Sequence, residues 1–258
     1  MAEKLMFENK VALVTGSGRG IGHTIALHLA KNGADVIVNF FRNRAPAEET
    51  IHEIEALGRR ALLVKANMGD MDDLNRLFDE TEKAFGRLDI FIHNAASGYN
   101  RPALEQKPKG WDWTMNINAR SLLFAAQRAV PLMEKSGGGK IVSISSPGSS
   151  RVMSDYVVVG ASKAAIESLT RYLAVELAPK NIAVNAVSPG IVETDALGHF
   201  SIMADNNVLE KVTAATPAGR LVKAEDVASV VAFLCSEAAD MIRGQVIVVD
   251  GGYTLKVN

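Results

Sequence analysis

The 258-residue chain predicts an α/β fold, a doubly wound parallel sheet built by a single domain over 1–258, with a substrate-loop insertion at about 195–217. Three features carry this expectation. Short β-branched runs alternate with longer segments of helical period along the whole chain. Most of those runs are continuously apolar rather than alternating, which a sheet covered on both faces requires. No Pro/Ser-rich linker or internal repeat breaks the alternation.

The elements follow in order. Strands are read at Val11–Thr15, Val36–Phe40, Ala61–Lys65, Ile90–His93, Ile141–Ile144, Ala183–Val187 and Val246–Val249. Helices are read between them at Ile21–Asn32, Ala45–Leu57, Met71–Phe85, Trp113–Glu134, Gly160–Ala178 and Ala224–Ser236. Right-handed crossovers then place helices on both faces of the sheet. Asp195–Pro217 departs from the rhythm, being long, mixed and without a clear strand. Its Leu197, Phe200, Ile202, Met203 and Leu209 suit a lid, or a helix packed onto the body.

Composition narrows the function classes. With 48% hydrophobic and 22% charged residues, the chain is too apolar to be disordered. A net charge of −1 argues against nucleic-acid binding, which needs a basic excess. No apolar run approaches the ~20 residues of a membrane span. The start, MAEKLMFENK, lacks the apolar stretch of a signal peptide, so a cytoplasmic location is expected. Cys235 is the sole cysteine, which excludes an intrachain disulfide. His23, His28, His52, His93 and His199 show no ligand spacing, and no metal site is expected.

Between the first strand and first helix stands Thr15-Gly16-Ser17-Gly18-Arg19-Gly20-Ile21-Gly22. Gly16 permits a tight turn, Gly20 lets backbone approach a pyrophosphate, and Gly22 lets the helix pack closely. The helix N-terminus then offers N–H groups and partial positive charge to the phosphates. The second strand runs on into Phe41-Arg42-Asn43-Arg44. A site for a ribose 2′-hydroxyl usually carries a carboxylate there, and none is present. Arg42 instead suits a 2′-phosphate, with Arg19 approaching from the other side, through bidentate charge-assisted bonds. Solvated surface arginines are the alternative. NADPH is the cofactor expected, with Phe41 and Asn43 flanking Arg42.

The glycine spacing GxxxGxG resembles that of the short-chain dehydrogenase/reductase family. Further strings extend the likeness over nearly the whole chain: His93-Asn94-Ala95-Ala96, Ile144-Ser145-Ser146, Ser188-Pro189-Gly190 with Thr194, and Asp250-Gly251-Gly252. The resemblance implies a Rossmann-like fold and a nicotinamide cofactor. It implies that Asn67 and Met68 meet adenine, with the Met68 thioether against the ring. It implies that Asn94 and Ala95 adjoin the ribose, and that Pro189, Gly190, Ile191 and Thr194 hold the carboxamide end.

The family's usual catalytic pair is Tyr-x-x-x-Lys. Counted back from Lys163, that tyrosine position holds Val159, and the nearest tyrosine is Tyr156. Four and seven residues both return to one helix face, so Tyr156 could share a cleft with Lys163, about 4.5 Å further along the axis. Reducing a carbonyl brings hydride to the carbon that bears the oxygen. Reducing an α,β-unsaturated thioester brings it to the β-carbon, and charge gathers on the more distant thioester oxygen. A displaced tyrosine fits the second demand.

Tyr-x6-Lys resembles the enoyl-acyl carrier protein reductases within the family. Asn94–Gly98, Trp111–Ala119 and Asp240–Gln245 narrow the likeness to the bacterial NADPH-dependent type III. That likeness implies reduction of a trans-2-enoyl thioester, linked to acyl carrier protein or CoA, in fatty-acid biosynthesis. Tyr156 would bind the thioester oxygen and Lys163 the nicotinamide ribose. Ser146 stands open between substrate contact and loop structure. Asn118 matches the helix-kinking asparagine of a water relay, with Asn116 as the register alternative. The chain departs from type III at Val152, where a second tyrosine would stand. Carbonyl or 3-oxoacyl-thioester reduction is the alternative activity, and a non-catalytic NADPH-binding protein a second. Arg101, Lys107 and Lys109 read as a solvated face, or as a dock for an acidic carrier. A homotetramer is expected through the two long helices, with Leu122, Phe124, Leu169 and Leu173, and through the last strand.

Overall fold

In the computed structural model, residues 5–192 and 207–256 are described. The order is β1 (Val11–Val14), α1 (Gly20–Lys31), β2 (Asp35–Phe40), α2 (Arg44–Ala56), β3 (Ala61–Lys65), α3 (Met71–Phe85) and β4 (Ile90–His93). Then come α4 (Pro108–Met115), α5 (Ser121–Glu134), β5 (Gly139–Ile144), α6 (Val157–Leu177), β6 (Ile182–Pro189), α7 (Val208–Ala215), α8 (Ala224–Cys235) and β7 (Val246–Val249). The seven strands form one parallel sheet in the order β3-β2-β1-β4-β5-β6-β7. The order reverses between β1 and β4, and such a switch point opens a ligand crevice at the strands' carboxyl ends.

The pleat divides the core into two layers. Alternate strand residues face opposite sides, so Ala12 and Val14 pack with Ile25, Leu29, Val227 and Val231 of α1 and α8. Val11 and Leu13 pack with Leu74, Phe78, Leu122 and Ile166 of α3, α5 and α6. Each Leu or Ile fully buried in this way contributes about 1.5–3 kcal/mol. The apolar runs are continuous because both sides of the sheet are covered.

Three expectations change. The segment read as one helix from Trp113 to Glu134 starts earlier, at Pro108, whose fixed φ and missing N–H suit a first helical position. It is then broken by a π-helical turn over Asn116–Arg120. The helix read from Gly160 begins at Val157, with Tyr156 as its N-cap and not inside it. Leu122 and Leu173, expected to serve an interface, lie in the core, while Val157, Tyr172 and Val175 of α6 are exposed. The proposed insertion contains α7, while 193–206 lie outside the described residues. Among the described residues, no helix is long and apolar enough to cross a membrane.

Candidate active site

The glycine turn is built for close approach. Gly16 and Gly20 have φ of 63° and 57°, a region that L side chains rarely adopt. A Cβ on Gly22 would collide with the Gly16 carbonyl oxygen and the Asn94 amide. Arg19, the N-cap of α1, makes no side-chain cap hydrogen bond, and the first turn of α1 holds no acidic residue. The first amides of α1 therefore face the crevice with their partial positive charge unopposed. These residues fit a dinucleotide pyrophosphate.

Neighbouring strand ends lock the turn. Asn94 at the end of β4 donates from Nδ2 to the Thr15 and Gly16 carbonyl oxygens at 2.8 and 3.1 Å. Thr15 Oγ1 accepts the Asn94 and Ala95 amides, both at 3.0 Å. Buried Asn39 accepts the Gly16 amide at 3.1 Å and donates to the Val64 and Ala66 carbonyls at 3.3 and 3.1 Å. Sequence reasoning overlooked Asn39. Its signal was a polar amide inside an apolar strand, and burial demands that such a group be bonded.

The other cofactor candidates are distributed around the same edge. Gly18 lies against Ala47 of α2, and Ile21 packs beside the core that α1 shares with α8. Phe41, Arg42 and Asn43 lead into α2, with Asn43 its N-cap. Asn67 accepts the Gly69 amide at 3.0 Å, and its own amide donates to Asp73 at 2.8 Å. Met68 is 3% exposed and its side chain packs in the core, so its backbone, rather than the thioether, is what it can offer to an adenine. Gly190 donates to the Val249 carbonyl at 2.9 Å after Pro189 ends β6, and Ile191 precedes Val192, which bridges to Val222. Thr194 lies outside the described residues.

The candidate catalytic groups meet at the end of β5. Tyr156 donates from its hydroxyl to Ser146 Oγ at 3.4 Å. Ser146 also accepts the Gly148 amide at 3.3 Å, so it holds its loop while facing the tyrosine. The Tyr156 ring sits where any Cβ on Gly148 would fall. Asp155 turns the chain into α6 with φ 60°, and its carbonyl accepts the Arg101 amide at 2.8 Å. Asp tolerates that left-handed region better than most residues. Val159 is buried, and its side chain occupies the space beside Gly98. Glu167 was also overlooked. It accepts the Ser145 and Ser149 hydroxyls at 2.6 Å each and ties the Ser146 loop to α6.

Lys163 is 6% exposed and donates from Nζ to the Ile144 carbonyl at 2.7 Å. Burial lowers its ammonium pKa to about 8. Burial raises the Tyr156 phenol above its ordinary value, against a smaller lowering by its Ser146 hydrogen bond. His93 beneath them is held neutral, its pKa pushed down to about 3 by burial and then by the Lys163 charge. Asn118 projects from the π-helical turn. It accepts the Ser97 amide at 2.8 Å and donates to the Ser97 carbonyl and Ser162 Oγ, both at 2.9 Å. Asn116 instead accepts from exposed Arg120, which assigns the inward position to Asn118.

The family model described as Enoyl-(Acyl carrier protein) reductase matches residues 16–254. The chain belongs to the short-chain dehydrogenase/reductase family. It is an oxidoreductase of that family. It is 39% identical over 246 residues to 1-cyclohexenylcarbonyl-CoA reductase of Streptomyces collinus, covering 95% of this chain and 87% of that one. A 7α-hydroxysteroid dehydrogenase complexed with NADH and 7-oxo glycochenodeoxycholic acid has a TM-score of 0.91 at 33% identity, covering 99% and 98% of the two chains. A gluconate 5-dehydrogenase from Burkholderia cenocepacia, in complex with NADP and tartrate, has 0.90 at 30%, covering 98% of each. The fold thus accommodates NADP in one short-chain dehydrogenase/reductase neighbour and NADH in another.

Proposed function

We propose that the chain is an NADPH-dependent reductase of α,β-unsaturated acyl thioesters, trans-2-enoyl chains carried on CoA or acyl carrier protein, acting in fatty-acid biosynthesis. The observation that carries this reading is the position of the phenol. Tyr156 caps α6 seven residues before Lys163, and buried Val159 holds the turn between them. The shift from four residues to seven is about 4.5 Å along a helix axis. The relative named for a 1-cyclohexenylcarbonyl-CoA, a thioester conjugated to a double bond, supports the same chemistry and a CoA carrier.

When bound, a reduced nicotinamide supplies hydride. Tyr156 donates its O–H to the thioester oxygen, where negative charge gathers as the conjugated double bond is reduced. Burial keeps the phenol protonated and able to donate. The Lys163 ammonium places positive charge at the end of β5 and binds the nicotinamide ribose. Ser146, by turning its own O–H to the Tyr156 oxygen, orients the phenol and leaves the phenol's proton for the substrate, and Asn118 holds a water path behind Lys163. Arg42 and Arg19 take the 2′-phosphate. The chain works in the cytoplasm as a homotetramer through α5, α6 and β7, where Tyr172, Val175 and Val248 are exposed.

Carbonyl reduction is a second reading. It is favoured by the contact between Ser146 and Tyr156, which sets two hydroxyls side by side for one carbonyl oxygen. The hydroxysteroid dehydrogenase neighbour is consistent with it. The test mixes the protein and NADPH with crotonyl-CoA, crotonyl-acyl carrier protein or acetoacetyl-CoA and follows NADPH consumption. Turnover of the crotonyl thioesters is expected. Turnover of acetoacetyl-CoA alone rejects enoyl reduction, and tight NADPH binding without turnover of any of them indicates a non-catalytic binder. Sedimentation as a stable monomer at micromolar concentration rejects the tetramer.

A further inference from the structure

Arg42 is held by aromatic faces. Its guanidinium carbon lies 5.6 Å from the Phe41 ring centroid and 5.8 Å from that of Trp113. The two rings are 6.5 Å apart and tilted by 46°. Phe41 is the adjacent residue, but Trp113 comes from α4, across the switch point of the sheet. Among the described residues, no carboxylate pairs with Arg42, whereas Arg44, two residues on, pairs with Glu48 at 2.7 Å.

Trp113 is itself fixed. Its indole N–H donates to Ser97 Oγ at 2.9 Å. Ser97 is in turn held at both backbone groups by the Asn118 amide, at 2.8 and 2.9 Å. The indole therefore has a set direction, and α4 holds it over the end of β2.

We propose that Trp113 is a specificity-determining positioning residue, which holds the Arg42 guanidinium ready for the 2′-phosphate of the cofactor. The inference rests on the NADPH reading above. A guanidinium held over aromatic rings spends none of its N–H donors on a carboxylate, and those donors match a phosphate. A flexible arginine loses rotamer freedom when it binds, and a side chain already held by two rings loses less. A compact ammonium would gain less from the same rings, because the planar guanidinium stacks as well as attracts. The aromatic partner comes from a different layer of the fold, so nothing near Arg42 in the sequence announces it.

The experiment titrates the intact protein by calorimetry with NADPH, NADH and 2′,5′-ADP, a fragment that carries the 2′-phosphate without a nicotinamide. Trp113→Leu keeps apolar bulk and removes the ring, and Trp113→Phe keeps a ring. Trp113→Leu is expected to weaken NADPH and 2′,5′-ADP about fivefold, the scale of one cation–π contact, with NADH changed less than about twofold. Trp113→Phe is expected to keep most of the preference. Equal weakening of NADPH and NADH in Trp113→Leu, or no weakening of either, overturns the role of Trp113 while Arg42→Ala still abolishes the preference. An Arg42→Ala protein that keeps the wild-type ratio of NADPH to NADH affinity overturns the NADPH reading, and the proposal with it. Should Trp113→Leu fail to fold, Trp113→Phe decides: loss of the preference there, with Arg42 intact, overturns the proposal.

Discussion

The ends of β1, β2 and β3 and the ends of β4, β5 and β6 line one edge of the sheet, but they use different materials. On the first side the turn over Gly16–Gly22 presents backbone, and neutral amides hold it: Asn39 from β2 and Asn94 from the switch point. On the second side titratable side chains are drawn out of water, with Lys163 lowered to about 8 and Tyr156 raised. A pyrophosphate carries its charge before it binds, so fixed N–H dipoles suffice to hold it. A charge that appears only during reaction needs donors already in place, in a site where water does not screen them.

The largest expected effect breaks the two sides apart. Tyr156→Phe should lower the turnover rate by about 10²–10³-fold, the cost of one oxyanion donor, with NADPH affinity changed less than about twofold. Stopped-flow rates and calorimetric titration read the two quantities separately, and parallel losses of both would erase the division.

The next is pH dependence. Burial depresses the Lys163 pKa to about 8, so its ammonium is present below that pH and lost above it. If the charged form is required, activity should be full near pH 6.5 and reduced to about a tenth by pH 9. A profile that stays flat to pH 9 would remove the ammonium from the chemistry. His93, held at about 3, stays neutral throughout and adds no step to this profile.

On the cofactor side, Asn39→Leu leaves the Gly16 amide without its acceptor and should destabilise the fold by about 1–3 kcal/mol. Cofactor affinity should fall with it, while turnover at saturating NADPH stays near wild type. Thermal unfolding and titration check both, and unchanged cofactor affinity would show that the turn holds its shape without Asn39.

The smallest effect sharpens what the start of α1 means. At α3 the Asp70 carboxylate accepts the Asp72 and Asp73 amides, each at 3.0 Å, and satisfies the helix's own first turn. At α1 no side chain does so. Asp70→Ala should cost about 1 kcal/mol in chemical denaturation and leave NADPH affinity unchanged. A change in affinity would mean that the two helix starts are coupled.

Much of this edge was legible in the sequence. The strands stand out because burial on both faces permits apolar runs, and the glycine turn because few other residues tolerate its backbone. The displacement of the tyrosine could be counted directly from Lys163. What escaped depended on partners distant in the chain. Met68 reads as a ligand platform beside Asn67, yet its side chain belongs to the core over α3 and α5. Helical period carried Trp113–Glu134 through as one element and gave no sign of the π-helical turn that aims Asn118.

The sequence by itself determined the layered fold, the place of the glycine turn between β1 and α1, and the seven-residue spacing of Tyr156 and Lys163, since each rests on local pattern or on spacing along one element. The tertiary structure alone decided that Tyr156 meets Ser146, that Lys163 is bonded to the Ile144 carbonyl, and that Trp113 reaches Arg42. Those contacts join separate elements. Their distances are set by how strands and helices pack, which a one-dimensional pattern does not encode.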